Sequence, residues 1–326
     1  MNQRESMFPK EVCGMFHASF SFVKELKNGF QNKIYEYESD GKPFILRLIA
    51  ADRKTKEQIE SELRWVRFLK ENGVKASPPI PSINQEWVEK VGVEGTEYFA
   101  CAFHKAEGAF INVSEPSQWN QAFFFDWGKT IGKMHKLSNT YNIEETRPTW
   151  AEKSFDPYGI MDSLPTDMQA KYTKHLTSLH TFSRGNEVFG LMHNDFHQGN
   201  FHVKNGEMIL FDFDDCAYNW FANDLAVSFY HAYWQGTSFN PGDRNFAEIF
   251  LRPFFEGYRK EFELSDEILK QIPIFLKIRE LYLYSLFSSR WNPVHMEEWQ
   301  KAALINLRES ILKEVPYAGI ESFKEY

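Results

Sequence analysis

The sequence predicts an α+β chain in two lobes: a small antiparallel β-sheet lobe carrying one helix, then a larger, mainly helical lobe. Three observations predict it. Short runs with polar and apolar residues in alternation, separated by turn signals, fill much of the first hundred positions. One stretch among them repeats its apolar residues at helical spacing. Beyond Gly108 the period becomes that of long helices.

In the first lobe, residues 21–26 form a strand that enters a turn at 28–32, and 33–38 alternate as a half-buried strand does. Asp40-Gly41 is a two-residue hairpin signal, so 43–49 is the third strand. A helix over 55–72 follows from Ile59, Leu63, Val66 and Leu69, and Gly73 stands where a left-handed cap is expected. Pro78, Pro79 and Pro81 break the chain, and further strands are expected around 87–91 and 98–103. The division falls at 1–104 and 105–326. In the second lobe, helices are expected over 119–137, 168–181, 248–262, 268–286 and 296–315, with a short β region from 201–203 to 208–211.

Composition narrows the class. A chain of 326 residues suffices for two lobes, and 43% apolar with 25% charged residues is the balance of a soluble globular protein. Net charge is −8 with no basic cluster, which argues against nucleic acid as a partner. Cys13, Cys101 and Cys216 are scattered and odd in number, neither a disulfide framework nor a metal motif. There is no signal-like N-terminus and no apolar run of membrane-spanning length, so no membrane is expected and a reducing cytoplasm suits the chain. Oligomeric state leaves no trace in the sequence. Aromatic residues reach 17%, most simply an aromatic-rich core.

The informative stretch runs from Leu191 to Asp215. Asp195 sits in a loop, Asn200 follows five positions later, and a predicted hairpin then delivers Asp212, with Asp214 and Asp215 beyond it. Asp195 can accept the proton of an attacking hydroxyl. Asn200 and Asp212 supply the oxygen donors a hard divalent cation prefers, and such a cation neutralises phosphate oxygens. Asp214 reads equally as a second metal-facing carboxylate or a turn acid.

His193-x-Asp195-x-x-x-x-Asn200, followed by apolar residues and Asp212-Phe213, resembles the signature of the aminoglycoside phosphotransferase/choline kinase family over nearly the whole chain. That resemblance implies a bilobal protein-kinase-like fold and transfer of a γ-phosphate from ATP (or GTP), with Mg2+, to the hydroxyl of a small molecule. It implies that the first lobe binds nucleotide and the second carries catalysis and acceptor binding. Asn28, Gly29 and Asn32 fall at the nucleotide-covering turn. Arg47 falls at the phosphate-anchoring base, with Glu62 as its partner. The nucleobase is expected to pair with backbone near Phe103 and Lys105. The resemblance implies that Asp195 is the base, Asn200 and Asp212 are metal ligands and Asp224 supports the catalytic loop; Asp214 is kept beside them as a candidate metal ligand. Three departures stand out: Arg47 where many members have Lys, a turn poor in glycine, and Asn194 where Gly is common. None removes a group that phosphoryl transfer needs.

Rival readings are a protein serine/threonine kinase of this fold, a pseudokinase binding module, and a metal-dependent hydrolase built on His193, His197 and His202 with Asp195 and Asp212. The acceptor is unnamed by the sequence. Glu256, Glu261, Glu263 and Glu280 could attract an amine, and Trp220, Tyr230, Tyr233, Trp234, Tyr282, Tyr284 and Trp291 could wall a pocket for a quaternary ammonium or simply fill the core.

Overall fold

The computed structural model describes residues 3–17, 19–26, 32–93, 95–141, 147–152, 156–239 and 245–326. In chain order the elements are α1 (Gln3–Phe16), β1 (Phe22–Leu26), β2 (Lys33–Ser39), β3 (Lys42–Ala50), α2 (Lys56–Glu71), β4 (Pro79–Ile80), β5 (Glu89–Val93) and β6 (Thr96–His104). There follow α3 (Gln121–Ser138), α4 (Thr166–Leu179), β7 (Phe189–Met192), β8 (Phe201–Lys204), β9 (Glu207–Leu210), β10 (Ala217–Trp220), α5 (Ala222–Phe239), α6 (Phe246–Arg259), α7 (Asp266–Arg290) and α8 (Glu298–Lys313). The chain separates into two compact units, one of Met1–Phe110, Asn142–Arg147 and Phe201–Asp214, the other of Ile111–Tyr141, Pro148–Asn200 and Asp215–Tyr326.

The first unit is an antiparallel sheet in the order β1-β2-β3-β6-β4, with β5 also paired to β6. The Asp40-Gly41 turn has positive φ at both residues (50° and 70°), as a type I′ hairpin requires. The period of two sorts β3 between two cores. Leu46 and Leu48 join Tyr37, Ala100, Ala102 and the α1 residues Val12, Cys13 and Phe16 on one face. Ile49 joins Cys101 and the α2 residues Ile59 and Leu63 on the other. Arg47 shares the parity of Ile49 and so points to the α2 side. Helix α2 starts in a Thr55/Gln58 capping box and ends before Gly73, whose φ of 81° provides the left-handed cap. The β8–β9 hairpin, turned by Asn205-Gly206, is tied to this unit by bridges from Val203 to Ala109 and from Leu210 to Ala76.

The second unit is mainly helical, with β7 and β10 as a two-stranded ribbon. Its core is aromatic, as composition suggests: Trp127 meets Phe196, Phe250 and Phe254 edge-on. Helices α3 and α6 approach until backbones touch. A Cβ on Gly128 would lie 1.8 Å from the Phe254 carbonyl oxygen, and one on Gly257 would lie 1.9 Å from that of Phe125. Only glycine fits there.

Several elements depart from the sequence expectations. Helix α1, strands β4, β7 and β10, and the full span of α5 were not anticipated. Helix α1 carries Pro9 and shows little amphipathic order, and α5 is buried nearly all round, so neither displays a helical stripe. Strands of two to four residues are too short for alternation to be legible. The three cysteines are buried and form no disulfide with one another. Among the described residues no helix is long and apolar enough to cross a membrane.

Gly257→Ala is expected to destabilise the protein by about 1–3 kcal/mol or more through overpacking. A fall in the urea midpoint at unchanged slope is the expected result; an unchanged midpoint would mean that the α3–α6 contact relaxes freely.

Candidate active-site residues

In the second unit, strand β7 ends at Met192 and the chain turns through Asn194, whose φ is 72°. The turn is held from beneath by Asp224, fully buried in the first turn of α5. The Asn194 amide donates to Asp224 Oδ1 (2.7 Å) and the His193 amide to Oδ2 (3.3 Å). His135 of α3 places Nε2 3.3 Å from the same Oδ2 and Nδ1 2.9 Å from the Tyr258 hydroxyl. Burial lowers the His135 pKa, so the neutral ring donates through Nε2 and accepts through Nδ1. Asn194 does more than tolerate a left-handed angle: its Oδ1 accepts from Asn219 Nδ2 (2.8 Å) and Asn223 Nδ2 (2.9 Å), bonds that glycine cannot make.

Asp195, the candidate base, is 22% exposed and anchored on both oxygens. Arg279 Nη2 of α7 stands 2.8 Å from Oδ1. Asn200 Nδ2 donates to Oδ2 (3.2 Å) and to the Asp195 carbonyl (2.8 Å). His197 Nδ1 accepts from the Gly199 amide, which leaves Nε2 as the protonated nitrogen, 3.4 Å from Oδ2. Arg279 is in turn fixed by His231, whose Nε2 accepts from the guanidinium at 2.6 and 3.1 Å, and by the Tyr282 ring beneath it. Burial holds the His231 ring well below its ordinary pKa, as that accepting role requires. Burial pushes the Asp195 carboxyl upward, but Arg279 and then His197 outweigh it and hold the group well below the usual carboxylate range.

In the first unit, Arg47 is buried and donates to Glu62 Oε2 of α2 at 2.8 Å, its guanidinium lying over the Phe103 ring. Asp214 collects the other polar groups. Lys54 Nζ donates to Oδ1 at 2.7 Å, Arg47 lies 3.7 Å from that oxygen, and Asn32 Nδ2 donates to Oδ2 at 3.0 Å. Burial raises its pKa, and Lys54 followed by Arg47 drives it well below normal. Asp212 is exposed with a φ of 61°. Lys105 spends its amide on the Pro43 carbonyl (3.2 Å) and its ammonium on Glu36 (2.6 Å). Beside this segment Phe110, His202 and Phe211 form an aromatic group, with His202 Nδ1 donating to the Ala106 carbonyl at 3.0 Å. Asn28 and Gly29 lie outside the described residues.

The donor chemistry fits a hard divalent cation. In the second unit Asn200 commits its amide nitrogen to Asp195, leaving Oδ1 as its remaining group, and in the first Asp212 is an exposed carboxylate, each an oxygen donor of the kind such a cation prefers. Both Asp214 oxygens are already engaged by side chains. A histidine-rich metal centre has no support: among the described residues no group of three or more His, Cys, Asp or Glu side chains converges.

Sequence reasoning missed Arg279, His231 and Lys54 as members of these groups, and grouped His197 with Asp195 only as a metal ligand. For Arg279 a signal existed: Lys277, Arg279 and Glu280 interrupt the mainly apolar middle of α7, residues 272–287, and charged residues enter a core only when paired. Glu280, considered as an amine attractor, is buried against Lys277 and Ser310.

A buried strand-to-helix Arg–Glu pair and an Asp-x-x-x-x-Asn loop clamped by a helical unit are the features of a kinase-type phosphotransferase. The chain belongs to the phosphotransferase enzyme family, whose profile matches residues 23–261, well over half of its length. It is 29% identical over 298 residues to amicoumacin kinase of Bacillus subtilis (strain 168), covering 89% of this chain and 87% of that one. It is similar to the solved structure of an amicoumacin kinase in complex with AMP-PNP, Ca2+ and Ami, with a TM-score of 0.86 and 28% identity over 98% and 96% of the two chains. A microcompartment-associated aminopropanol kinase shares the fold, with a TM-score of 0.73 and 21% identity over 97% and 99%. The protein is a kinase with an alcohol group of a small molecule as acceptor, and its α+β protein-kinase-like fold is the one its motif implied.

Arg279→Met removes the main cation beside Asp195 while burial still pushes the carboxyl upward. The acidic limb of kcat/KM against pH is therefore expected to move to higher pH. A limb at its original position would show that Asp195 does not govern it.

Proposed function

We propose that the chain transfers the γ-phosphate of ATP, carried with Mg2+, to a hydroxyl of a small amine-bearing or sugar-like acceptor, and that Asp195 orients that hydroxyl. The observation that carries this reading is the anchoring of Asp195 at both oxygens by Arg279, Asn200 and His197. A carboxylate so held is ionised at neutral pH and weakly basic. It accepts a hydrogen bond from the hydroxyl and aims the oxygen; the proton passes to it late, as the bond to phosphorus forms.

Arg47, stiffened by Glu62 and the Phe103 ring, supplies a forked cation for phosphate oxygens. Asn200 and Asp212 are the oxygen donors for the metal, and Asp214, already paired with Lys54 and Asn32, positions the cationic groups around it. The metal, when bound, supplies neutralisation of phosphate charge. The amine-bearing or sugar-like acceptor class draws support from the relatives named for amicoumacin and aminopropanol. A reducing cytoplasm is the compartment that three cysteines outside any disulfide favour.

ADP release in the presence of ATP or GTP, Mg2+ or Ca2+, and a panel of amino alcohols and amino sugars tests the reading. Asp195→Asn is expected to lower kcat by about 10^2–10^4 with nucleotide affinity retained. Asp212→Asn is expected to raise the Mg2+ concentration needed for half-maximal rate. Full turnover in Asp195→Asn would remove Asp195 from the chemistry.

A further inference from the structure

The chain carries a net charge of −8, yet cations gather in one concave place. Where β3 starts and β6 ends, the first unit has a cleft of about 840 Å³. Its walls are the last turn of α2, the segment that follows it and the β8–β9 hairpin. Five lysines line it, Lys42, Lys70, Lys75, Lys105 and Lys204, against two carboxylates, Glu107 and Glu207. Three of the lysines are neutralised: Lys75 by Glu207, Lys204 by Glu107, and Lys105 by Glu36 at 2.6 Å. Lys42 and Lys70 have no carboxylate partner among the described residues. Both act on the same ring. Burial, and then the ammoniums of Lys70 and Lys42, hold His104 below its ordinary pKa, so the imidazole is neutral.

Strand parity separates these groups from those proposed above for nucleotide. Lys42, Phe44 and Leu46 share one parity of β3, and His104 pairs opposite Phe44 with ring centroids 5.1 Å apart. Arg47 and Phe103 have the other parity and stand on the opposite face of the sheet. Between its charges the cleft is lined by apolar groups, Pro43, Val74, Ala76, Pro78 and Ile209.

We infer that this cleft binds a small organic molecule carrying two phosphate groups, one held by Lys42 and one by Lys70, with its carbon body against the apolar lining. The inference goes beyond the phosphotransferase reading and does not rest on it. Each unpaired ammonium is a point charge suited to a phosphate. A phosphate ester carries about −1.5 to −2 charges at neutral pH and three acceptor oxygens, so it can meet one lysine and still accept from the neutral His104 ring or a neighbouring lysine. A carboxylate has one charge and fewer acceptor sites to share. The volume suits a compact ligand, small-molecule sites running to roughly 300–1,000 Å³. A long polyanion is disfavoured, because the net negative chain repels whatever extends beyond the cleft.

The test is titration calorimetry on the full chain, with and without saturating AMP-PNP and Mg2+. The probes are propanediol, hexanediol and nonanediol bisphosphates, beside hexyl phosphate, adipate and hexanediol. At the best chain length the bisphosphate is expected to bind about tenfold or more tightly than hexyl phosphate or adipate, and to bind with AMP-PNP present as well as without it. Hexanediol, which has no charge, should not bind. Lys42→Gln and Lys70→Gln each remove one exposed ammonium and leave the core untouched. Each should weaken the bisphosphate about tenfold, whereas Lys301→Gln, an exposed change on α8, should leave its Kd unaltered. Absence of binding by every bisphosphate would overturn the inference, as would an affinity that survives both cleft variants. Equal affinity for adipate or hexyl phosphate would remove the bisphosphate class. Loss of binding on adding AMP-PNP would assign the probe to the nucleotide site and overturn the cleft.

Discussion

A carboxylate buried without solvent is costly unless its oxygens are fully hydrogen-bonded, and Asp224 meets that demand in a way that organises the second unit. Its oxygens take the amides of His193 and Asn194 and face the imidazole of His135, so the residue just before Asp195 has a fixed backbone. His135 is held in turn by Tyr258 from α6. That bond exists because α3 and α6 touch at Gly128, Gly132 and Gly257, where any side chain would meet a carbonyl. The placement of the Asp195 backbone thus depends on three missing Cβ atoms in α3 and α6.

The same physics governs two further carboxylates, one in each unit. Burial alone would push Asp195 and Asp214 toward the neutral acid, and each is kept ionised by a buried arginine and further donors. Arg279 serves Asp195 through one unit's helix, and Arg47 with Lys54 serves Asp214 through the other unit's strand and turn. Removing any of these cations would leave a charge without its compensation, which costs far more than the intact pair contributes.

The fold was legible where local chemistry decides conformation. Asp40-Gly41 turned as its sequence requires, Thr55 and Gly73 bracketed α2, and parity along β3 separated Arg47 from Leu46 and Leu48. The loop carrying Asp195 and Asn200 stands out in the sequence by its residue types and spacing, and the structure brings the two side chains within 3.2 Å of each other. What escaped was long-range. Arg279 lies far along the chain from Asp195, and nothing in either local sequence records that they meet. Lys54 reads as a turn lysine until Asp214 is folded against it. The extent of α5 escaped for the opposite reason: a helix starting near Leu225 is signalled by Asp224, but burial on nearly all sides leaves no polar face to betray its period.

The buried cysteines have a consequence for how the molecule's motions can be followed. Burial pushes the Cys13 thiol up to about 12 and that of Cys101 to about 11, so at neutral pH neither offers a thiolate to a reagent. Alkylation must then wait for the surrounding structure to open. Cys13 and Cys101 belong to the sheet unit and Cys216 to the helical one. Labelling kinetics at the three positions would therefore act as separate clocks for the breathing of each unit, with no probe introduced from outside the native chain.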